Sequence, residues 1–173
     1  MPLVPASEGS PADGGPQAAA VRITEVDPAS PAAEACLRAY YLELDRRFDA
    51  GFDPERTLPA AAAEMRPPSG TFLVAWRDGE AIGCAGLKLP EPGVAECKRM
   101  WVAESARGGG LGRRLLDEVV DRARAAGAAT LRLDTNRNLT SAIAMYRSAG
   151  FVEVPAFNDE PYAHHWFARD LRR

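Results

Sequence analysis

Arg107-Gly108-Gly109-Gly110-Leu111-Gly112 is the stretch of this chain best suited to chemistry. A strand-like pattern over residues 94–103, with Val94, Met100 and Val102 among its apolar positions, precedes it. After it Leu111, Leu115, Val119 and Ala123 recur every four residues, as the buried face of a helix does. Glycines at such a junction let the backbone approach a ligand and leave N–H groups pointing at it. The helix start adds partial positive charge and Arg107 a full one, so these residues suit a phosphate or pyrophosphate. The competing reading is an ordinary glycine-rich turn. Strand, helix and arginine together favour the anion site.

Two familiar phosphate motifs fail on single residues. A P-loop closes with Gly-Lys-Ser/Thr, whereas Gly112 is followed by Arg113 and Arg114. A dinucleotide fingerprint needs a glycine at the position of Arg113 or of Leu115, depending on where it starts. What remains is Arg-x-x-Gly-x-Gly. This resembles the acyl-coenzyme A signature of the GNAT N-acetyltransferase superfamily. Ala144-Met145-Tyr146-Arg147-Ser148-Ala149-Gly150-Phe151 likewise resembles that superfamily's Leu/Met-Tyr-x-x-x-Gly-Phe ending, at the right distance downstream. Gly150 also makes sense alone, as the left-handed residue that ends a helix. The resemblance covers roughly residues 71–171 and, more loosely, the chain from Val21 onward.

The elements that must position these residues can be read from the pattern. Residues 21–26 allow a first strand. Ser30 and Pro31 look like the N-cap and first position of a helix whose stripe is Leu37, Tyr40, Tyr41, Leu44 and Phe48, aromatics expected in the core. Asp53-Pro54 repeats the cap signal before a shorter helical stretch that Pro67-Pro68 terminates. Residues 71–76 and 81–89 read as strands joined at the Asp78-Gly79 hairpin turn. A strand over 130–135, a helix, a short strand from Phe151 to Val154 and a last strand over 164–171 complete an α+β order. The resemblance implies a mixed, mostly antiparallel seven-stranded sheet, splayed between its fourth and fifth strands, with helices on both faces and acetyl-CoA in the cleft.

Composition narrows the class. At 173 residues one domain is expected, over residues 21–173, after a leader at 1–20 rich in Pro, Gly, Ala and Ser and expected to be disordered. No apolar run reaches about 18 residues, so no membrane partner is expected. A net charge of −3 argues against nucleic acid. Arginine outnumbers lysine 19 to 2, so a single arginine means little apart from its place. Cys36, Cys84 and Cys97 are odd in number and scattered, which reads as reduced thiols in a cytoplasmic protein. No Cys/His spacing suggests a metal, and the only histidines, His164 and His165, are adjacent.

By the resemblance, acetyl-CoA is the cosubstrate and no metal takes part. Its binding falls to the backbone near Met100, Trp101 and Val102, to Arg107, Gly108, Gly109, Gly110, Leu111, Gly112 and Arg113, and to Asn138. Asn138 stands beside Leu139, where the family often has its own asparagine. Arg114 and Arg137 lie within expected reach of the nucleotide phosphates. Tyr146 is the expected acid for the leaving thiolate, since a phenol titrates near 10. Glu96 is the expected general base, with His165 its rival; many family members have no fixed base at all. A backbone N–H near Met100 to Val102 is expected to hold the oxyanion. The acceptor is a primary amine of a small molecule or peptide, met by residues 40–53 and 157–165. There Glu43, Asp45, Asp49, Asp53, Asp159 and Glu160 stand among Phe48, Phe52 and Tyr162. A homodimer is compatible. The alternative function is a non-catalytic acyl-CoA-binding regulatory module of the same fold.

Overall fold

The computed structural model describes residues 19–56 and 62–173. The expected leader at 1–20 therefore lies, apart from Ala19 and Ala20, outside the described residues. Seven strands form one sheet in the order β1-β2-β3-β4-β5-β7-β6. They are β1 (Arg22–Glu25), β2 (Gly70–Arg77), β3 (Glu80–Glu91), β4 (Val94–Val102), β5 (Thr130–Thr135), β6 (Val152–Val154) and β7 (His165–Asp170). The helices are α1 (Pro31–Arg47), α2 (Leu111–Ala125) and α3 (Thr140–Ser148). The α+β order, the mixed sheet and the mostly antiparallel pairing are as expected.

Local chemistry explains most element ends. Ser30 caps α1 by accepting the Ala33 N–H at 3.4 Å, with Pro31 at the first position. Asp78 and Gly79, at φ 52° and 80°, fill a two-residue turn between the paired residues Arg77 and Glu80. Positive φ at both positions gives the twist that antiparallel strands need. The second helical stretch after Asp53-Pro54 is different. Residues 54–56 form a turn, residues 57–61 lie outside the described set, and Ala62–Met65 is a short 3-10 helix. Phe151 does not open β6; its N–H instead caps α3 through the Tyr146 carbonyl at 3.1 Å.

The anticipated stripe on α2 is real: Leu111, Leu115, Val119 and Ala123 are all buried, joined by Leu116 and Val120. They close the larger core against the sheet and α3. A smaller core under α1 gathers Ala33, Cys36, Phe72, Val74 and Cys84. Tyr40 and Tyr41, expected in that core, are only half-buried. The reason lies in the sheet. β4 and β5 run parallel and pair only at Val94–Thr130, Ala95–Leu131 and Glu96–Arg132. Beyond Glu96 they part, and the aromatic stripe of α1 faces the gap between them.

A bulge lies where β4 leaves its partner. Cys84 pairs with Trp101 but Gly86 with Lys98, so Arg99 and Met100 together oppose Ala85. Arg99 takes φ 53°, a left-handed value uncommon for a residue other than glycine.

Candidate active site

The phosphate loop begins after a 3-10 turn, Glu104–Ala106, and ends as the first turn of α2. Gly108 and Gly110 adopt φ 83° and 80°, which side chains resist. Gly110 caps α2 with no side-chain bond, and the first intrahelical bond runs from Arg114 N–H to the Gly110 carbonyl. The amides of Leu111, Gly112 and Arg113 thus have no partner within their helix. A Cβ at Gly108, Gly109 or Gly110 would meet nothing within 4 Å, so the loop surface is open to a ligand. At Gly112 a Cβ would stand 3.2 Å from Met145 Sδ, which ties that glycine to the packing of α2 on α3. An open row of amide donors at the positive end of a 15-residue helix fits the pyrophosphate of an acyl-coenzyme A.

Arg107 is held beside this row. Its Nε donates to the Val102 carbonyl at 3.0 Å and its Nη2 to Glu43 Oε2 at 2.5 Å. Glu43 also accepts from Trp101 Nε1 at 2.9 Å and pairs with Arg47 at 3.0 Å. Arg113 pairs with Asp117, Arg114 donates to the Val21 carbonyl, and Arg137 reaches Asp49.

A cleft of about 440 Å³ runs from this loop between β4 and α3. Of the residues expected at the cofactor, Met100, Trp101, Val102, Arg107, Gly108, Gly110, Leu111, Gly112 and Arg113 line it. Gly109 and Asn138 do not. Asn138 donates instead to the Arg47 carbonyl at 2.8 Å, tying the end of α1 to the loop before α3, and it does not cap that helix.

A second cavity, of about 110 Å³, opens between the parted ends of β4 and β5 against α1. Tyr40, Leu44, Met100, Leu139, Ala142 and Tyr146 belong to the walls of both. Tyr146 is buried, braced by Phe151 and Phe167 at ring distances of 6.0 and 6.2 Å. Burial, then the neighbouring Cys97, Tyr40 and Asp134, pushes its phenol well above the ordinary range. At neutral pH it is a donor and never a base.

The two candidate bases sit elsewhere. Glu96 is 6% exposed and lines neither cavity. Arg132 grips its Oε1 with Nε at 3.0 Å and Nη2 at 2.7 Å, while Lys98 stands 3.7 Å from Oε2. His165 also lies outside both walls, its Nδ1 2.6 Å from Glu153 on the β6 edge. The carboxylates that do line the second cavity are Asp134 and Glu160. Asp134 accepts from Lys98 Nζ and Asn158 Nδ2, each at 2.9 Å.

Most of the acids expected to meet a cationic acceptor are occupied in holding the fold. Asp45 accepts the Phe52 N–H at 2.9 Å, Asp49 pairs with Arg137 at 3.4 Å, and Asp53 accepts the Glu55 N–H at 3.0 Å. The aromatics fare differently. Phe48, Phe52 and Tyr162 do line the second cavity. Asn136, which the sequence reading passed over, positions Tyr162 by donating to its carbonyl at 2.8 Å. No cluster of three or more His, Cys, Asp or Glu suited to a metal occurs among the described residues.

The family model of the Acetyltransferase (GNAT) family matches residues 36–151. The chain belongs to the GNAT family. An IAA acetyltransferase of Azospirillum brasilense is 40% identical over 69% of this chain and 78% of its own length. The N-alpha-acetyltransferase RimI of Mycobacterium tuberculosis is 34% identical over 65% of this chain and 70% of its own. A GNAT acetyltransferase of Elizabethkingia anophelis, solved with acetyl-CoA bound, shares the fold with a TM-score of 0.61. It is 19% identical, over 87% of this chain and 97% of the other. As a GNAT acetyltransferase, this chain is an acyltransferase of a family whose members use acetyl-CoA. No helix among its described residues is long and apolar enough to cross a membrane.

Proposed function

We propose that this GNAT enzyme transfers the acetyl group of acetyl-CoA directly to a primary amine, both held at once in a ternary complex. One observation carries this reading: the cleft running to the phosphate loop and the aromatic cavity share a wall at Met100 and Tyr146. A thioester laid along the first and an amine seated in the second meet there without an enzyme-bound intermediate. Acetyl-CoA supplies the activated acyl group. The chain's part is to bind, orient and move one proton.

Gly108 to Arg113 hold the pyrophosphate with backbone amides, and Arg107 adds charge. The β4 bulge presents its backbone amides near Met100 to the carbonyl oxygen as negative charge develops. The amine nitrogen bonds to the carbonyl carbon as the carbon–sulfur bond breaks. The Tyr146 phenol gives its proton to the departing sulfur, and the proton lost by the amine leaves through water in the aromatic cavity. With Glu96 paired to Arg132 and His165 to Glu153, this scheme needs no side-chain base. The amine arrives already deprotonated, or sheds its proton near Asp134 and Glu160.

Free-thiol release from acetyl-CoA, measured across a panel of small amines and peptide N-termini, tests the proposal. Turnover of any amine with kinetics that require both substrates bound supports it. An exchange pattern showing an acetylated enzyme would overturn it.

A further inference from the structure

We propose that Asn158 is a positioning residue for the amine: held between Asp134 and Trp166, it sets the loop of residues 155–164 as one wall of the aromatic cavity. This rests on the acetyl-transfer reading above and adds to it what prepares the same site for its acceptor.

The first ground is the face of β5 turned away from the larger core. Leu131 and Leu133 enter that core, so Arg132 and Asp134 stand on the opposite face, as strand alternation requires. Asn136 follows at the next alternate position, just past the strand end. Each of the three holds a residue of the loop between β6 and β7. The Arg132 guanidinium lies over the Phe157 ring at 4.4 Å. Asp134 accepts from Asn158 Nδ2 at 2.9 Å, and Asn136 donates to the Tyr162 carbonyl at 2.8 Å. The loop forms neither strand nor helix, so these side chains do for it what a backbone ladder does elsewhere.

The second ground is the match of donors and acceptors at Asn158. Asp134 on β5 and Trp166 on β7 are register partners, so their side chains stand together on one face. A carboxylate only accepts and an indole N–H only donates. Asn158 answers both with one short planar group: Nδ2 donates to Asp134 and Oδ1 accepts from Trp166 Nε1 at 2.8 Å. The same Oδ1 accepts the Glu160 N–H at 3.3 Å, which carries the constraint along the loop. Lys98 Nζ shares the Asp134 oxygen at 2.9 Å, so β4 is joined to the same knot.

The third ground is what the loop presents. Glu160, Tyr162 and Ala163 line the aromatic cavity. The Tyr162 ring lies 4.8 Å from Phe52 and 5.6 Å from Phe48, and its hydroxyl accepts the Asp53 N–H at 2.9 Å. That wall is complete only while the loop is in place. A loop in place for a fraction of the time lowers apparent affinity by that fraction and leaves the step after capture untouched. The cofactor cleft has no residue of this loop in its lining, so acetyl-CoA binding is independent of it.

The test compares wild type with Asn158→Ala and Trp166→Phe. The probe is the fastest amine of the panel above, made to include benzylamine, leucinamide and the dipeptide Ala-Ala. Asn158→Ala removes three hydrogen bonds, one of them to a charged group. It is expected to raise KM for the amine about tenfold or more. At saturating amine kcat should stay within about threefold, and acetyl-CoA affinity within about twofold. Trp166→Phe keeps a ring on β7 and removes only the donor to Asn158. It should raise KM by less, and added to Asn158→Ala it should change KM no further. An amine KM in Asn158→Ala within about twofold of wild type would overturn the inference and leave the acetyl-transfer reading standing. So would amine KM and acetyl-CoA affinity worsening together, the mark of general loosening, or effects of the two substitutions that simply multiply. Acetyl-CoA binding with no thiol release for any amine would sink the acetyl-transfer reading, and this inference with it.

Discussion

Glu43 on α1 and Arg107 in the phosphate loop form an ion pair of 2.5 Å across the mouth of the cofactor cleft. The helix that walls the aromatic cavity is thereby fastened to the glycine loop proposed to hold the cofactor. Charge-assisted hydrogen bonds from an arginine contribute about 1.5–3 kcal/mol each. Arg107→Ala is expected to weaken acetyl-CoA binding roughly ten- to a hundredfold, measured by calorimetry. Unchanged affinity would remove Arg107 from the anion site.

Gly110, the cap of α2, and Gly112, in its first turn, should fail differently. Gly110→Val forces a β-branched residue to φ 80° and is expected to abolish acetyl-CoA binding in a folded protein. Gly112→Val drives its side chain toward Met145 and is expected to lower the melting temperature as well. A folded Gly110→Val protein with wild-type affinity would refute the assignment of the loop.

Tyr146→Phe keeps the ring against Phe151 and Phe167 and removes only the hydroxyl. Turnover should fall roughly ten- to a thousandfold with acetyl-CoA affinity little changed, the range of a lost general acid. Because burial raises this phenol, the wild-type rate should show no loss assignable to Tyr146 until the pH exceeds about 10, its unperturbed value. An unaltered kcat, with product release shown to be fast, would leave Tyr146 a packing residue.

Glu96→Gln separates a base from a strut. The substitution strips the charge that Arg132 and Lys98 surround, so the expected result is a lower melting temperature. A buried hydrogen bond to a charged partner is worth about 1.5–3 kcal/mol. The acidic limb of the pH–rate profile should remain, in this variant and in His165→Ala. Disappearance of that limb in either one identifies the base and contradicts the scheme proposed here.

Alkaline stability should report on Cys97. Burial pushes its thiol up to about 12. An unfolded thiol titrates near 8.5, so above that pH the unfolded chain sheds a proton that the folded protein keeps. Unfolding free energy should therefore fall by about 1.4 kcal/mol per pH unit between roughly 8.5 and 12 from this group alone. Chemical denaturation across that window checks it, and Cys97→Ala should flatten the first part of the slope.

Local signals made much of this legible. Ser30-Pro31, Asp78-Gly79 and the four-residue stripe of α2 each rest on contacts within a few positions, and each formed as expected. The placing of the loop glycines at the start of α2 and of Tyr146 near the end of α3 was readable for the same reason, since a strand-to-helix junction and a helix end are written in consecutive residues. The pairing of Glu96 with Arg132 was not, because it joins two strands 36 positions apart. Nothing near Arg99 announces the bulge either; a glycine there would have, but the backbone takes a left-handed turn under an arginine. The acids near α1 misled for a related reason. Their number is visible in the sequence, whereas their partners, from the Phe52 amide to Arg137, are set only once the chain has folded back on itself.

The seam between β4 and β5 holds for three residue pairs and then opens. Its consequence is one of gauge. The width of the gap is set by diverging backbones, anchored by Ala95 and Leu131 deep in the core and tied across by the Lys98–Asp134 ion pair at 2.9 Å. Substitutions on the walls away from that pair can therefore change what the slot grips while the backbones hold its bore. Diversity of acceptors can accumulate around such an aperture while the carrier threaded through it stays the same.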